Sequence, residues 1–401
     1  MKTIRLQISD ETLRDGEQQV GIFFERDTKQ QLAHLIAQTG VHQIALMPAI
    51  HATEDHLVKT LIQEGLAHQV AASTMMMRQL IDQAKACGVQ QIILFHAVSD
   101  RLLFLRDPVM RYHPHYYAKT IDEAIPQSVI DVIRQNMLET VLKHLRYAAG
   151  LGLKICFAAE DASRADFGFL VKAIDTFKPY LERFLLCDTV GILTPEKTYV
   201  WIHDLLEYTD QAALSVHFHN DMGLALENTI QAVCAGASGI SGTFGGIGER
   251  AGNVALEQVL NGLRLRFGWE VDGIDYEALA GVTDCLEQLG VRANPPYSKP
   301  ALRCETGIHV NSLLRDRASY SVFPHAEPEI WFGKCSGASN FQYLFEHCLQ
   351  QPLTREQYER LRSTIKILSI QERRSFSLEE VLKMLDRGLL EAELSINPEG
   401  D

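Results

Sequence analysis

The feature that most constrains the fold is a strand followed by a helix, a unit that recurs eight times between residues 4 and 264. Units of this kind place parallel strands side by side with helices outside them. Eight units in about 250 residues have the size of a closed barrel, so the sequence predicts an α/β fold, the (β/α)₈ TIM barrel. The expected strands are residues 4–10, 43–47, 69–74, 91–96, 154–159, 183–187, 214–218 and 239–244, and the expected helices are residues 27–40, 53–65, 78–87, 128–150, 166–177, 195–208, 224–235 and 254–264.

An open, doubly wound sheet is the alternative to a barrel. No Gly-rich dinucleotide fingerprint follows the first strand, which counts against it. After Phe267 the alternation stops, and the remainder is expected to be mainly helical after a Pro-rich, extended stretch. We therefore expect three parts: a catalytic barrel of residues 1–267, a linker subdomain of residues 268–340 and a helical C-terminal subdomain of residues 341–401.

Composition and charge exclude several classes of protein. The 401 residues carry a formal net charge of −13, which argues against general binding to nucleic acid or to an anionic membrane. The eight cysteines lack paired spacing, as expected of reduced thiols in a cytoplasmic protein. The N-terminus leads straight into a strand, with neither a signal-like apolar region nor a transmembrane span. We therefore expect a cytoplasmic protein whose partners are small molecules.

Polar residues cluster where the predicted strands end. In a barrel of this kind, the carboxyl ends of the strands and the loops after them carry the functional site. The clusters are distant in sequence but would share one rim of the barrel. They comprise residues 10–18 after the first strand, 160–164 after the fifth, 188–189 after the sixth, 217–219 on the seventh and 249–253 after the eighth.

A metal site is the clearest prediction from this rim. His217 and His219 are two residues apart on a strand, so their imidazoles project from the same face. With the carboxylate of Asp15 they form a set without cysteine, which suits Mg, Mn, Zn or Fe(II) and leaves coordination positions open. A 2-oxo acid bound there through its carboxylate and ketone oxygens would have its ketone polarised. Arg14 could stabilise the developing negative charge, whereas the alternative is a local Arg14–Asp15 ion pair in a solvated turn.

The segment of residues 101–127 is long for a connection between a strand and a helix. Connections of this length are typical of lids and binding loops. His113 and His115 within it could form a second metal pair. The intervening Pro114 and the flanking tyrosines favour a covering loop instead.

Several runs of residues resemble the signatures of one enzyme family. The run from Asp10 to Gln18, Asp-Glu-Thr-Leu-Arg-Asp-Gly-Glu-Gln, resembles the first signature of the family that contains 2-isopropylmalate synthase and homocitrate synthase. Residues 214–253 resemble its second signature, with His-Phe-His-Asn-Asp near the start and Gly-Glu-Arg-Ala-Gly-Asn at the end. The resemblance covers almost the whole chain, because further matches follow in order at residues 160–164, 188–191, 307–309 and 333–337.

This resemblance implies a divalent-metal-dependent acyltransferase that performs a Claisen condensation. The enolate of acetyl-CoA, the co-substrate, would attack the ketone of a 2-oxo acid, and the thioester would then be hydrolysed. The implied metal ligands are Asp15, His217 and His219, with Asn253 as a weaker fourth candidate. The implied catalytic residues are Arg14, Glu160, His309 and Tyr320, and those expected to face the substrate are Gln18 and Thr189.

His309 and Tyr320 match a segment that crosses from the partner subunit in that family. The resemblance therefore implies a homodimer with shared active sites. The alternative for His309 is a residue at the start of a helix that makes local hydrogen bonds.

The 2-oxo acid is predicted from the length of the chain and the run around His309. Both are most like the short homocitrate synthases, so we expect 2-oxoglutarate as the substrate and homocitrate as the product. Two positions depart from the family pattern: Cys156 stands where an arginine would bind the far carboxylate, and Cys335 replaces a histidine. A buried second carboxylate needs a cationic or strongly donating partner. The candidates are His51, Arg78 and His96, of which Arg78 and His96 are taken as substrate-binding residues.

Three alternatives to homocitrate synthesis remain. Action on 2-oxoisovalerate, as in 2-isopropylmalate synthase, would need an apolar pocket. A metal-dependent aldolase or lyase would cleave a carbon–carbon bond with the same barrel and ligands, but the extension that carries His309 favours the synthase. A barrel that only binds or regulates is disfavoured, because the metal ligands and the acid–base residues are all present.

Overall fold

Eight parallel strands close into a barrel in the order of the sequence, which confirms the predicted fold. The computed structural model describes residues 1–116, 119–323 and 326–394. The strand β1 pairs with both β2 and β8, and this pairing closes the ring. The strands are β1 (Gln7–Asp10), β2 (Gln43–Leu46), β3 (Val70–Met75), β4 (Gln91–Ala97), β5 (Lys154–Glu160), β6 (Arg183–Asp188), β7 (Leu214–Phe218) and β8 (Gly239–Gly242).

The barrel wall separates a small apolar interior from a much larger apolar layer under the helices. Successive side chains of a strand point to opposite faces. On β4, Ile93 and Phe95 pack inside the barrel, whereas Ile92 and Leu94 belong to the outer layer. The same alternation holds on the other strands, and it decides which residues at their ends face the barrel mouth.

Helices cover the outside of the barrel, with bounds within a few residues of the predicted ones. Each buries one apolar face against the strands, as the 3.6-residue period requires. The helices of the barrel are α1 (Arg26–Gln38), α2 (Ala52–Leu61), α3 (Arg78–Ala86), α4 (Asp100–Arg106), α5 (Pro108–Tyr112), α6 (Gln127–Gly150), α7 (Phe167–Phe177), α8 (Pro195–Tyr208), α9 (Ala225–Cys234) and α10 (Leu256–Phe267).

The first predicted strand, residues 4–10, was wrong as a single element. Lys2–Ile4 forms a separate strand that pairs in parallel with Trp269–Val271, outside the barrel. Barrel strand β1 begins at Gln7, after the buried side chain of Leu6. Apolar and polar residues alternate without a break from Ile4 to Ile8, so the sequence pattern alone did not reveal the interruption.

The C-terminal region contains the predicted helices and a small sheet that the sequence did not predict. Its helices are α11 (Ala278–Gln288), α12 (Gly307–Arg315), α13 (Ala338–Gln342), α14 (Arg355–Glu372), α15 (Leu378–Asp386) and α16 (Glu391–Leu394). Strands Arg303–Cys304, Glu329–Phe332 and Phe376–Ser377 pair into the sheet, and they are too short to leave a periodic signal. Residues 395–401 of the predicted C-terminal subdomain lie outside the described residues.

The segment after β4 folds over the barrel as two short helices, α4 and α5, rather than as an open loop. Residues 102–105 of α4 are buried in the main core. The imidazoles of His113 and His115 both contact the ring of Tyr116, with centroids 4.9 and 4.8 Å away. Residues 117–118 of this segment lie outside the described residues. Among the helices that the structure describes, none is long and apolar enough to cross a membrane.

Candidate active site

Asp15, His217 and His219 meet at the carboxyl end of the barrel. The Oδ2 atom of Asp15 lies 3.4 Å from Nε2 of His217 and 3.7 Å from Nε2 of His219. All three side chains are buried. One carboxylate oxygen and two imidazole nitrogens thus converge within reach of a single cation, as the His-x-His pattern predicted.

Hydrogen bonds on the side away from Asp15 orient the ring of His217. Nδ1 of His217 lies 3.3 Å from Oγ of Ser241, which in turn donates to Oε1 of Glu11 at 3.3 Å. Glu11 also accepts from Nε of Arg14 at 2.7 Å. Outer contacts of this kind fix the ring orientation of a ligating histidine. They leave Nε2 of His217 free to face the carboxylate of Asp15.

Asn253 fits the position of a further ligand. Its Nδ2 donates to the carbonyl oxygen of Ile247 at 3.1 Å, whereas its buried Oδ1 has no hydrogen-bond partner among the described residues. Gly248 makes room beside it, since a Cβ atom there would lie 2.2 Å from Nδ2 of Asn253 and 3.1 Å from Oδ1 of Asp15. An unpaired buried oxygen next to the triad is the chemistry that a hard or borderline cation satisfies.

The electrostatics of the triad also suit a cation. Burial acts to raise the pKa of Asp15, but the Arg14 guanidinium and the two imidazoles lower it well below its usual value. Burial, reinforced by the charge of Arg250, lowers the pKa of His219 well below its usual value. An ionised carboxylate and a neutral imidazole are the forms in which these side chains bind metals.

A second group of side chains brings an acid–base pair to the same mouth. Nδ1 of His309, on α12, contacts Oε2 of Glu249. In the neutral imidazole, a proton on Nδ1 would be donated to Glu249 and Nε2 would be the acceptor. The backbone N–H of Glu249 donates to Oδ1 of Asp15 at 3.2 Å, so the pair is joined directly to Asp15, His217 and His219, the candidate metal-ligand set.

Glu160, Arg106 and Tyr320 form the other wall of the mouth. Arg106 donates through both terminal nitrogens to Glu160, and the Tyr320 hydroxyl donates to Oε1 of the same carboxylate. Burial acts to raise the pKa of Glu160, but the Arg106 guanidinium lowers it to about 2. Burial raises the pKa of Tyr320 well above its usual value, so the phenol keeps its proton. The Tyr320 ring stacks on His309, with centroids 3.9 Å apart, and thereby supports the imidazole.

His309 and Tyr320 lie at the mouth of their own barrel in this structure, whereas the resemblance implied that they reach the barrel of a partner. The difference has a simple geometric basis. Residues 289–306 connect α11 to α12, and a chain of this length spans roughly 60 Å when extended. It is therefore long enough to return across the rim of its own barrel. The homodimer itself stays a prediction.

Of the four residues predicted to face or bind the substrate, two lie at the carboxyl end of the barrel and two point away from its interior. Gln18 lies at the mouth, where its Nε2 donates to Oγ1 of Thr306 at 3.4 Å. Thr189 is buried at the end of β6, and its hydroxyl accepts from the backbone N–H of Asp161 at 2.8 Å. Arg78 is exposed at the start of α3, with its guanidinium over the ring of Tyr147. His96 follows Phe95 on β4 and so points to the outer face, away from the interior.

Apolar side chains line the mouth on the side of β2, β3 and β4. Ala45, Ala71 and Ile93 fill the interior below, and Phe95 packs against them. Because alternate residues share a face, Ser73 and Met75 on β3 project inward above Ala71. The mouth therefore has a polar half, which carries Asp15, His217, His219, Glu249 and His309, and a mainly apolar half.

The chain is similar to known enzymes over most of its length. A family model described as HMGL-like matches residues 5–285. The homocitrate synthase AksA of Methanopyrus kandleri is 31% identical over 395 residues, which cover 96% of this chain and 92% of that protein. The 2-isopropylmalate synthase of Sulfurisphaera tokodaii is 33% identical over 354 residues, which cover 85% of each protein.

The chain belongs to the HMGL-like family. These comparisons confirm the predicted kinship with homocitrate and 2-isopropylmalate synthases, and with it the predicted class of enzyme, an acyltransferase of that type. A hydroxymethylglutaryl-CoA lyase from Pseudomonas aeruginosa shares the fold, with a TM-score of 0.54 and 19% identity. That match covers 75% of this chain and 96% of the lyase, so about a quarter of this chain has no counterpart there.

Two residues of this HMGL-like site had no role in the sequence-based prediction. Glu249 stood in the rim set after the eighth strand, but its contact with His309 depends on where a distant helix returns. Arg106 lies in the segment that we read as a cover, where no local pattern distinguishes it from other charged residues. The Gly-Glu-Arg run of the second signature was the one available signal for Glu249.

Proposed function

We propose that this protein condenses acetyl-CoA with a 2-oxo acid in a reaction that depends on a divalent metal. The observation that carries the proposal is the junction of two sets of side chains at one barrel mouth. Asp15, His217 and His219 form one set, and His309 with Glu249 forms the other. The hydrogen bond from the Glu249 backbone to Asp15 holds the two sets next to each other.

The metal-ligand set would hold the 2-oxo acid. A divalent cation bound by Asp15, His217, His219 and Asn253 would polarise the ketone and orient the carboxylate. Arg14 stays charged, because burial acts to lower its pKa but the carboxylates of Glu11 and Asp15 raise it. Its guanidinium is thus a permanent donor beside the site, suited to oxyanion charge as it develops.

The acid–base set would form the enolate. With Nδ1 of His309 facing Glu249, Nε2 can accept a proton from the methyl group of acetyl-CoA, and the Glu249 carboxylate stabilises the imidazolium that results. Tyr320 and the ion pair of Arg106 with Glu160 keep the imidazole in place. The removal of a methyl proton next to a bound ketone is the first half of a Claisen condensation.

Carbon–carbon cleavage by a lyase is the competing function, and the acid–base segment is the feature that separates the two. The family match ends at residue 285, before His309 and Tyr320. A base supplied by this additional segment supports synthesis.

The apolar half of the mouth bears on the substrate. The choice of 2-oxoglutarate was made from the length of the chain and the run around His309, with His51, Arg78 and His96 as candidate partners for the far carboxylate. Arg78 and His96 point away from the interior, and His51 caps α2, where its Nδ1 accepts from the backbone of Thr53 at 3.2 Å. A second carboxylate placed against Phe95 would find the neutral hydroxyl of Ser73 but no cation among the inward residues of β2, β3 and β4, which is costly, whereas an apolar side chain would be accommodated. We therefore favour an apolar 2-oxo acid, such as 2-oxoisovalerate, over 2-oxoglutarate.

Thiol release from acetyl-CoA, measured with a panel of 2-oxo acids, tests the proposal. The panel contains 2-oxoisovalerate, 2-oxo-4-methylpentanoate, 2-oxoglutarate, oxaloacetate and a sample without acceptor. We expect release that requires an acceptor, with the highest kcat/KM for an apolar acid. Release that is independent of the acceptor would contradict condensation, and a preference for 2-oxoglutarate would restore homocitrate synthesis.

A further inference from the structure

Four buried charged side chains form a closed ring between the barrel and the C-terminal region. The ammonium group of Lys29 lies 2.6 Å from both Glu17 and Glu54. That of Lys334 lies 2.8 Å from Glu17 and 3.0 Å from Glu54. The exposed fraction of each side chain is between 3% and 8%. Each positive charge thus contacts both negative charges, and the ring is neutral as a whole.

The four residues of the ring come from two parts of the chain, so the ring links the barrel to the C-terminal region. Glu17 follows β1, Lys29 lies on α1 and Glu54 lies on α2, all within the barrel region. Lys334 alone comes from beyond it, in the turn after strand Glu329–Phe332. Burial acts to raise the pKa of Glu54, but Lys29 and Lys334 lower it to about 2. Loss of Lys334 would therefore leave a buried negative charge unbalanced.

On the barrel side, the ring is adjacent to the metal-ligand set. Glu17 is two residues after Asp15 in the same short turn, and its Oε1 also accepts from the backbone N–H of Phe24 at 3.2 Å. The next residue, Gln18, donates to Thr306 at 3.4 Å. The position of Glu17 is therefore tied closely to that of the metal-ligand set.

On the other side, the turn that carries Lys334 supports the start of α12. The backbone N–H of Cys335 donates to Oε1 of Glu305 at 2.8 Å, and the N–H of Gly307 donates to the carbonyl of Cys335 at 3.2 Å. Gly307 and Gly337 approach so closely that a Cβ on Gly307 would lie 2.4 Å from the backbone of Gly337. A shift of this turn would move α12, and His309 with it.

We infer that Lys334 is a positioning residue, whose ammonium group between Glu17 and Glu54 sets the place of His309 relative to the metal-ligand set. The inference rests on the proposed function only where it concerns catalysis. Its structural part, the seating of α12 on the barrel, is independent of the reaction. No substrate contact is assigned to Lys334, since both of its carboxylate partners are buried with it.

The test uses the full chain with Lys334→Met, which removes the charge and keeps the length of the side chain. Hydrogen–deuterium exchange should increase in residues 305–320, while peptides from the barrel strands exchange as in the wild type. A displacement of the base by about 1 Å can cost a factor of about 100, so kcat should fall about 100-fold. The KM for the 2-oxo acid should change little.

Two further variants make the test specific. Lys366→Met is the matched control, because Lys366 also reaches from the C-terminal region to the barrel, where its Nζ donates to the carbonyl of Ile50 at 3.1 Å, but it is not in the ring. The double variant Glu54→Gln/Lys334→Met removes one charge of each sign and leaves the contact of Lys29 with Glu17. It should fold even if the single variant does not, and it should exceed the single variant in activity, since no buried charge is left unbalanced.

Hydrogen–deuterium exchange tests the positioning role of Lys334, and turnover tests the proposed function, so the two can fail independently. Increased exchange confined to residues 305–320 supports the positioning role, whether or not thiol release is ever detected. Unchanged exchange in that segment, or the same change in Lys366→Met, would overturn it. Absence of condensation in the wild type with the expected exchange pattern would contradict the proposed function and leave the role of the ring intact.

Discussion

The contact of His309 with Glu249 permits a quantitative prediction. In Glu249→Gln the side chain keeps its size but loses its negative charge. A hydrogen bond to a charged group contributes about 1.5–3 kcal/mol, and each 1.36 kcal/mol corresponds to a factor of ten in rate. The kcat of the variant should therefore fall about 10- to 150-fold. The metal-ligand set should keep its geometry, because Asp15 accepts from the backbone N–H of residue 249, which the substitution retains.

The assay is thiol release at saturating acetyl-CoA and 2-oxo acid, with the metal content measured on the same samples. Glu257→Gln is the matched control, since that carboxylate also lies near the rim and accepts from the backbone of Gly245 at 3.1 Å, but does not contact His309. A kcat within twofold of the wild type for Glu249→Gln would refute the orientation of His309 by Glu249. A loss of bound metal would show that the carboxylate acts on the metal-ligand set instead.

Three other outcomes follow from the geometry. Met75→Ala should lower kcat/KM for the preferred apolar acid about 10-fold or more. Met76→Ala, whose side chain packs on the outer apolar layer, should not. Equal effects would argue against the apolar half of the mouth. The low pKa of Glu160 means that its ionised form stabilises the fold above the usual value near 4.5, and that this contribution is lost as the pH falls to about 2. In urea unfolding, Glu160→Gln should remove up to about 3 kcal/mol of that pH dependence, and an unchanged slope would contradict the assignment. Mixed dimers of Asp15→Ala and His309→Ala chains should stay inactive if each chain completes its own site as in this structure, whereas recovered activity would show that the segment crosses to the partner.

The barrel and the convergence of Asp15, His217 and His219 were predictable because their signals are local. Hydrophobic periodicity marked the eight strands, and the two-residue spacing of His217 and His219 determined their common face. The loop after β1 could then be assigned to the same rim from the barrel geometry alone. These steps require no knowledge of how distant segments pack.

Residues whose role depends on long-range packing or on an uncertain side-chain direction were harder to assign. Arg106 and Lys334 reach their partners only after α4 and the C-terminal region have folded onto the barrel. A difference of one residue along a strand reverses the face, so with Phe95 in the inward position His96 takes the outward one, and its role in substrate binding stays a prediction. Arg78 lies past the end of β3, where the direction of a side chain is set by the helix that follows.

The most direct test of the central claim is to follow the acetyl carbons. The protein is incubated with 2-oxoisovalerate and acetyl-CoA that carries ¹³C at both acetyl positions, with and without a divalent metal, and the organic acids are analysed by mass spectrometry. We predict a hydroxy diacid that contains both labelled carbons, and we predict that its formation stops when a chelator removes the metal. Release of CoA with the label found only in acetate, or equal formation of the labelled product without metal, would contradict the account.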